Sequence, residues 1–202
     1  MDQGVKTVSL FLALLAVVAE VATGVAVILA VGGRFSPVLR RWRDQAVDAV
    51  GPSALTLAAL VAAVCMGGSL YFSEVAHFRP CHLCWLQRFC MYPLVPVLGI
   101  AAWRRWARVR PWAGALALVG ACISTYHVAL EHHPEWESSI CDPKNPCTVI
   151  WIKRLGYLTI PAMALSGFAL IITLLAISRA SDRPAPDPDP SELPRSEVHG
   201  HP

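Results

Sequence analysis

Charge is what this chain of 202 residues has least of: Asp, Glu, Lys and Arg make up 15% of it. A soluble domain carries about 25%. With 55% hydrophobic residues, the shortage argues against a charged, water-facing surface and for a membrane. Lysine is scarce too, three residues against 14 arginines. No basic run with interleaved aromatics is present, so no nucleic-acid partner is expected. No Cys-x-x-Cys-His motif occurs, because Trp85 follows Cys84; this excludes haem attachment of the c type. Nor is there a second close ligand pair at structural-zinc spacing. Cys141 and Cys147 are too far apart in sequence, and His82, His132 and His133 stand at no usual interval. No metal site is therefore assigned. No internal repeat is visible.

What is present is long apolar runs. A membrane-crossing helix needs about 20 mostly apolar residues. Five stretches approach that: Val8 to Val31, Ala54 to Ala76, Cys84 to Trp103, Trp112 to Leu130 and Tyr157 to Ile177. Pro93 and Pro96 each remove a backbone donor from the third, which predicts a kink or local repacking there. The first span contains one acid, Glu20, either neutral or paired within the bundle. Its apolar core is longer than the roughly 7–15 residues of a signal peptide, so it is read as an uncleaved helix.

Arginines set the expected orientation. Arg34, Arg40, Arg41 and Arg43 lie between spans one and two. Arg104, Arg105, Arg108 and Arg110 lie between spans three and four, and Arg179 and Arg183 follow span five. The positive-inside rule makes these three segments cytoplasmic. Residues 77–84 and 131–156 then face outward, as does the N-terminus, while the C-terminus is cytoplasmic. The last segment, 179–202, is rich in Pro and Asp without apolar periodicity and reads as a disordered tail.

The outward loops hold four of the seven cysteines. Cys81 and Cys84 are three apart at a helix start, so they share a face and can close a disulfide. The helix N-terminus favours a thiolate. Arg88 stands four residues beyond Cys84, the spacing that brings side chains together. It is either a cation supporting that thiolate or a snorkelling arginine. At mid-bilayer an arginine costs about 2.5–3.5 kcal/mol, and less near the edge. In "CDPKNPC", the turn formers Asp142, Pro143, Asn145 and Pro146 bring Cys141 and Cys147 together. That pair is a structural staple or the neighbour of the first pair in electron exchange. His127 lies near the outer end of span four, as an interface residue or a proton donor. "TVIWIKRLGYL" is expected to lie in the membrane interface, with Trp151 and Tyr157 at headgroup level. Cys65, Cys90 and Cys122, in apolar stretches, read as small fillers.

These residues resemble the bacterial DsbB disulfide-bond-formation family. "PCHLCWLQR" is similar to its P-C-x-x-C-x-x-x-R signature, and "STYHVALE" to the stretch leading into its second outer loop. "CDPKNPC" followed by "LGYLTIPAMALSGFALI" looks like the BdbC branch, whose second pair is close together. Relatives of vitamin K epoxide reductase carry their motifs in the opposite order. The resemblance covers residues 54–178. It implies an all-α membrane protein: a four-helix bundle of the DsbB type, here with an extra N-terminal helix and cytoplasmic linker over 1–53.

The resemblance also implies a thiol:quinone oxidoreductase of the bacterial cell (inner) membrane. Such a protein reoxidises an extracytoplasmic thioredoxin-fold thiol oxidase of the DsbA kind and passes two electrons to ubiquinone or menaquinone from the lipid pool. By position, Cys84 is the thiolate beside the quinone, Arg88 supports that site, and Cys81 is the disulfide partner of Cys84. Cys141 takes the partner's attack, Cys147 resolves toward Cys81, and His127 lies near the quinone. Gln87 departs from the family pattern, where many members have an acid or another residue. The competing reading is a membrane scaffold or metal-binding protein with structural cysteines.

Overall fold

The computed structural model describes residues 2–137, 141–142 and 144–182. Its helices are α1 (Gln3–Gly32), α2 (Pro37–Val50), α3 (Ala54–Leu70), α4 (His82–Arg104), α5 (Arg110–His132) and α6 (Ile160–Ser181). Among the described residues, five helical segments are long and apolar enough to cross a membrane. Large side chains such as Phe11, Leu60, Phe89 and Leu118 remain exposed on them, which suits a lipid surround rather than water.

Helices α3 to α6 form a bundle in which α6 packs on both α3 and α5, and α4 packs on both α3 and α5. The bundle core holds Met91, Leu94, Leu98, Phe168, Ile171 and Leu175. Lipid gives helices no hydrophobic reason to associate, so close backbone approach matters. Ala54, Ala58 and Ala62 put small residues at every fourth position on the buried face of α3. Gly120 leaves room for the fully buried Phe168 ring.

Helix α1 packs outside this bundle, against α6. Its buried stripe is narrow and small: Val5, Ser9, Ala13, Ala16 and Ala19. At 30 residues it is about 45 Å long, more than the hydrocarbon thickness of about 30 Å. The linker after it is not irregular. It contains α2, an amphipathic helix with no buried residue, whose exposed Val38 and Trp42 were too few to register as an apolar run.

Several boundaries move for identifiable reasons. Helix α4 starts at His82, because Cys81 is its N-cap, and runs unbroken through Pro93 and Pro96. Helix α6 begins at Ile160 rather than Tyr157. Thr159 caps it, accepting from the Ala162 N–H at 3.4 Å, and Pro161 opens its first turn, a position where its missing donor costs nothing. Helix α6 ends at Ser181, so the first three residues of the segment read as tail are helical; residues 183–202 lie outside the described residues. The stretch before α6 is a small hairpin, β1 (Lys153–Arg154) with β2 (Leu158–Thr159), pairing Arg154 with Leu158. Gly156 supplies its φ of 82°, a region open to glycine at no steric cost. Helix α3 continues into a π-helical turn over Tyr71–Val75.

Candidate functional site

The chain from His77 to Pro80 delivers Cys81 to the start of α4 in extended backbone, φ −74° and ψ 177°. The Cys81 sulfur accepts the Cys84 N–H at 3.4 Å, as a cap does. Cys84 is one turn on, and the two sulfurs stand 2.9 Å apart, unbonded. A disulfide bond is about 2.05 Å, so a small side-chain rotation closes the pair. The Cys81 thiol is held well below the ordinary thiol range. The hydrogen bond from Cys84 is the largest cause, His127 adds to it, and burial works against both.

Cys141 and Cys147 form a disulfide. Residues 138–140 and Pro143 of this loop lie outside the described residues. The loop is tied in three ways. The Asn145 N–H donates to the Asp142 carbonyl at 2.9 Å, closing the turn. The Cys147 N–H donates to Glu137 Oε1 at 2.7 Å. Asn145 Nδ2 donates to the Pro80 carbonyl at 3.0 Å, immediately before Cys81. Cys81, Cys141 and Cys147 pack into one buried cluster with Leu83 and Leu130, and Cys84 borders it.

His127 on α5 connects the two pairs and is buried. Its Nε2 lies 3.0 Å from the Cys147 carbonyl oxygen and 3.7 Å from the Cys81 sulfur. Its Nδ1 lies 3.2 Å from Gln87 Nε2. A carbonyl only accepts, so Nε2 carries the proton; Nδ1 is then free to accept from the Gln87 amide. The Cys147 carbonyl thus fixes the tautomer of His127, and Gln87 satisfies its other nitrogen. One turn further on α5, Glu131 accepts the Thr159 hydroxyl at 2.6 Å. Cys81, Cys84, His127 and Glu131 all border a small cavity of about 30 Å³.

The reduced protein should therefore keep a thiolate far into acid. A lowered pKa means that the ionised form persists at every pH above it. Thiolate absorbance titrated downward should fall only well below the ordinary thiol range, and His127→Ala should move the midpoint upward. An unmoved midpoint in that variant would leave Cys84 as the sole support.

Cys84 also faces a second, larger space. A cavity of about 340 Å³ is bordered by Cys84, Gln87 and Arg88 of α4, by Ser69 and Phe72, and by apolar residues of α1, α3 and α6. Arg88 and Cys84 share this cavity, but the hydrogen bonds of the guanidinium go elsewhere than the sequence spacing suggested. Nε donates to Ser69 Oγ and Nη2 to the Ser69 carbonyl, both at 2.9 Å. Its carbon lies 5.1 Å from the Trp85 ring centre. Tyr92 donates to the same Ser69 hydroxyl at 3.3 Å. Phe72, Phe78 and Trp151 stack in sequence, with ring centres 6.0 and 5.1 Å apart, and border the same cavity. Ser69 and Gln87 act through partners 19 and 40 residues away, so local spacing carried no sign of their roles. Trp151 is stacked on Phe78.

The comparisons agree on one family. The family described as "Disulfide bond formation protein DsbB" matches residues 52–178. Disulfide bond formation protein C of Bacillus subtilis is 42% identical over 119 residues, which cover 58% of this chain and 86% of that protein. Probable disulfide formation protein C 2 of Bacillus cereus is 37% identical over 129 residues, 64% of this chain and 91% of that protein. A probable disulfide formation protein of Oceanobacillus iheyensis is 37% identical over 123 residues, 59% and 85% respectively. No solved structure matches. Both cysteine pairs, His127 and Arg88 fall inside the matched stretch, which more than half the chain makes up: the protein belongs to the DsbB disulfide bond formation family and is a multi-pass membrane oxidoreductase of the disulfide-forming kind.

Proposed function

We propose that this protein reoxidises an extracytoplasmic thioredoxin-fold thiol oxidase of the DsbA kind and passes two electrons to a membrane quinone. The observation that carries the reading is the position of Cys84. It borders both the small cavity shared with Cys81 and His127 and the large apolar cavity shared with Arg88. One sulfur thus touches the dithiol relay on one side and a lipid-like space on the other. The large cavity has the size and apolar lining of a small-molecule site, with a few polar groups at one end.

The exchange balances in three steps. A partner thiolate attacks Cys141, Cys147 leaves as thiolate, and the partner's second thiol releases the oxidised partner and the Cys141 thiol. Cys147 then attacks Cys81 of a Cys81–Cys84 disulfide, and Cys84 leaves as thiolate. Cys141 next attacks Cys147, restoring their disulfide and freeing Cys81. Quinone, the second substrate, takes two electrons and two protons and leaves as quinol while Cys81 and Cys84 re-form their bond. His127, with its Nε2 proton near the Cys81 sulfur, is the group suited to move a proton there. Cys81 holds the negative charge when both thiols are free, and Cys84 takes it over once Cys81 is bridged. A DsbA-type partner, at about −120 mV, needs an acceptor that a glutathione pool cannot supply; a quinone of the cell membrane can.

The test is the loss of quinone absorbance when purified protein meets a reduced thioredoxin-fold dithiol. Loss that needs both protein and dithiol supports the reading, and none removes it. Orientation is tested separately. After reduction of intact cells, an impermeant maleimide should label Cys141 and Cys147 from outside. Labelling only after the cytoplasmic face is opened would invert the topology.

A metal site is the second reading, because the ligand atoms of Cys81, Cys84 and His127 lie within 4.8 Å of one another. Two thiolates on one tetrahedral zinc stand about 3.8 Å apart, given bonds of about 2.3 Å. The 2.9 Å between these sulfurs suits a dithiol instead. Stoichiometric zinc in the purified protein would favour the metal.

A further inference from the structure

The extra helix α1 lies outside the family match, which begins at residue 52, yet it is not a loose anchor. Three polar attachments fix its register against the rest. The Glu20 carboxylate accepts the Ser166 hydroxyl at 2.9 Å and the Tyr157 hydroxyl at 2.6 Å. Arg154 donates to Ser9 Oγ at 2.8 and 3.0 Å and to the Lys6 carbonyl at 3.2 Å. An acid within a span is costly unless it has work or a partner, and a helix that only tethers the chain needs no such register.

That register sets one apolar face of α1 along the large cavity. Leu12, Leu15 and Val18 form one wall, opposite Leu60 and Val64 of α3 and Met163 of α6. Leu12 fits against the bare backbone of Gly68, where a Cβ would meet its methyl at 2.9 Å. The residue beside it, Ser69, holds Arg88. Along α3 the cavity lining runs from Ser69 to Leu57, 12 residues or about 18 Å. The polar groups sit at the Ser69 end, with Cys84, Arg88 and Tyr92. A quinone ring would fill that end alone, and the rest of the cavity is apolar and continuous with it.

We infer that α1 is the wall of a tail-binding channel: Leu12, Leu15 and Val18 hold the isoprenoid tail of the quinone while its ring meets Cys84. This rests on the quinone reading above and gives a role to a helix that lies outside the family match.

The experiment compares a tailless quinone with one of several isoprene units and the same ring, in the full-length protein. Leu15→Trp should raise KM for the long-tailed quinone about tenfold, the loss of roughly two buried methylene groups. KM for the tailless quinone should change less than about twofold. Because a larger side chain can also tilt α1, the unaltered protein is tested in parallel with a quinone carrying a photoreactive group at its tail end. Cross-links should fall on residues 12–19. Equal shifts of both KM values, or tail cross-links that avoid α1, overturn the inference; a phospholipid acyl chain filling the channel would give that result. If the unaltered protein bleaches neither quinone, the quinone reading itself fails. If it bleaches both with no tail dependence, only the channel falls.

Discussion

Replacing Cys84 by serine is expected to reduce steady-state quinone reduction to the rate seen without protein. Serine keeps the shape of cysteine with a slightly smaller atom, but its oxygen can neither form a disulfide nor act as a leaving group at neutral pH. Cys81 then has no bonding partner 2.9 Å away, and nothing redox-active faces the large cavity at that point. The Cys141–Cys147 disulfide is untouched, so the variant should still accept one pair of electrons from a reduced partner and then stop. Helical content and thermal midpoint should stay near those of the parent, because Cys84 is not part of the main apolar core. Sustained quinone turnover in this variant would mean that electrons leave by another route.

Arg88→Ala should raise KM for quinone about ten- to a hundredfold, the range of a charged hydrogen bond worth about 1.5–3 kcal/mol. KM for the thiol partner should move by less than about twofold. The asymmetry follows from location. Arg88 borders the large cavity and is hydrogen-bonded to Ser69, whereas in the proposed relay the partner attacks the loop bearing Cys141. Two of its five N–H donors are committed to Ser69, which leaves the others for a carbonyl oxygen. Ser69→Ala keeps the cation but removes one of these bonds, and should raise quinone KM in the same direction by a smaller, several-fold amount. Arg88→Lys keeps the charge without the planar fork and should fall between. Equal rises in both KM values for Arg88→Ala would assign the residue to folding alone.

How much of this was legible depends on distance along the chain. The spans were readable because a membrane helix is a local property: about 20 apolar residues in a row, with arginines crowded at alternate ends. The cysteine pairs were readable because each is close in sequence, and a short turn suffices to join Cys141 to Cys147. The amphipathic helix α2 escaped because its apolar side is short and broken by arginines. The N-cap at Thr159 escaped because it lies inside a run that looks mostly apolar. The partners of Glu20, Arg88 and His127 escaped for a deeper reason. Each is chosen by packing between helices: Ser166 for Glu20, Ser69 for Arg88, Gln87 for His127. Arg88 shows the difference well. Both it and Cys84 border one cavity, but spacing alone could not foresee that a serine of α3 would take the hydrogen bonds.

The most direct test of the relay uses a protein lacking the second pair. Cys141→Ser/Cys147→Ser protein, reduced beforehand and freed of reductant, is mixed with quinone without oxygen. The account predicts quinone loss equal to the amount of protein, together with a Cys81–Cys84 disulfide found by mass spectrometry, and no further turnover when reduced partner is added. Unchanged quinone, under conditions where the unaltered protein bleaches it, would contradict the account, because the electrons would then leave from the second pair and not from Cys84.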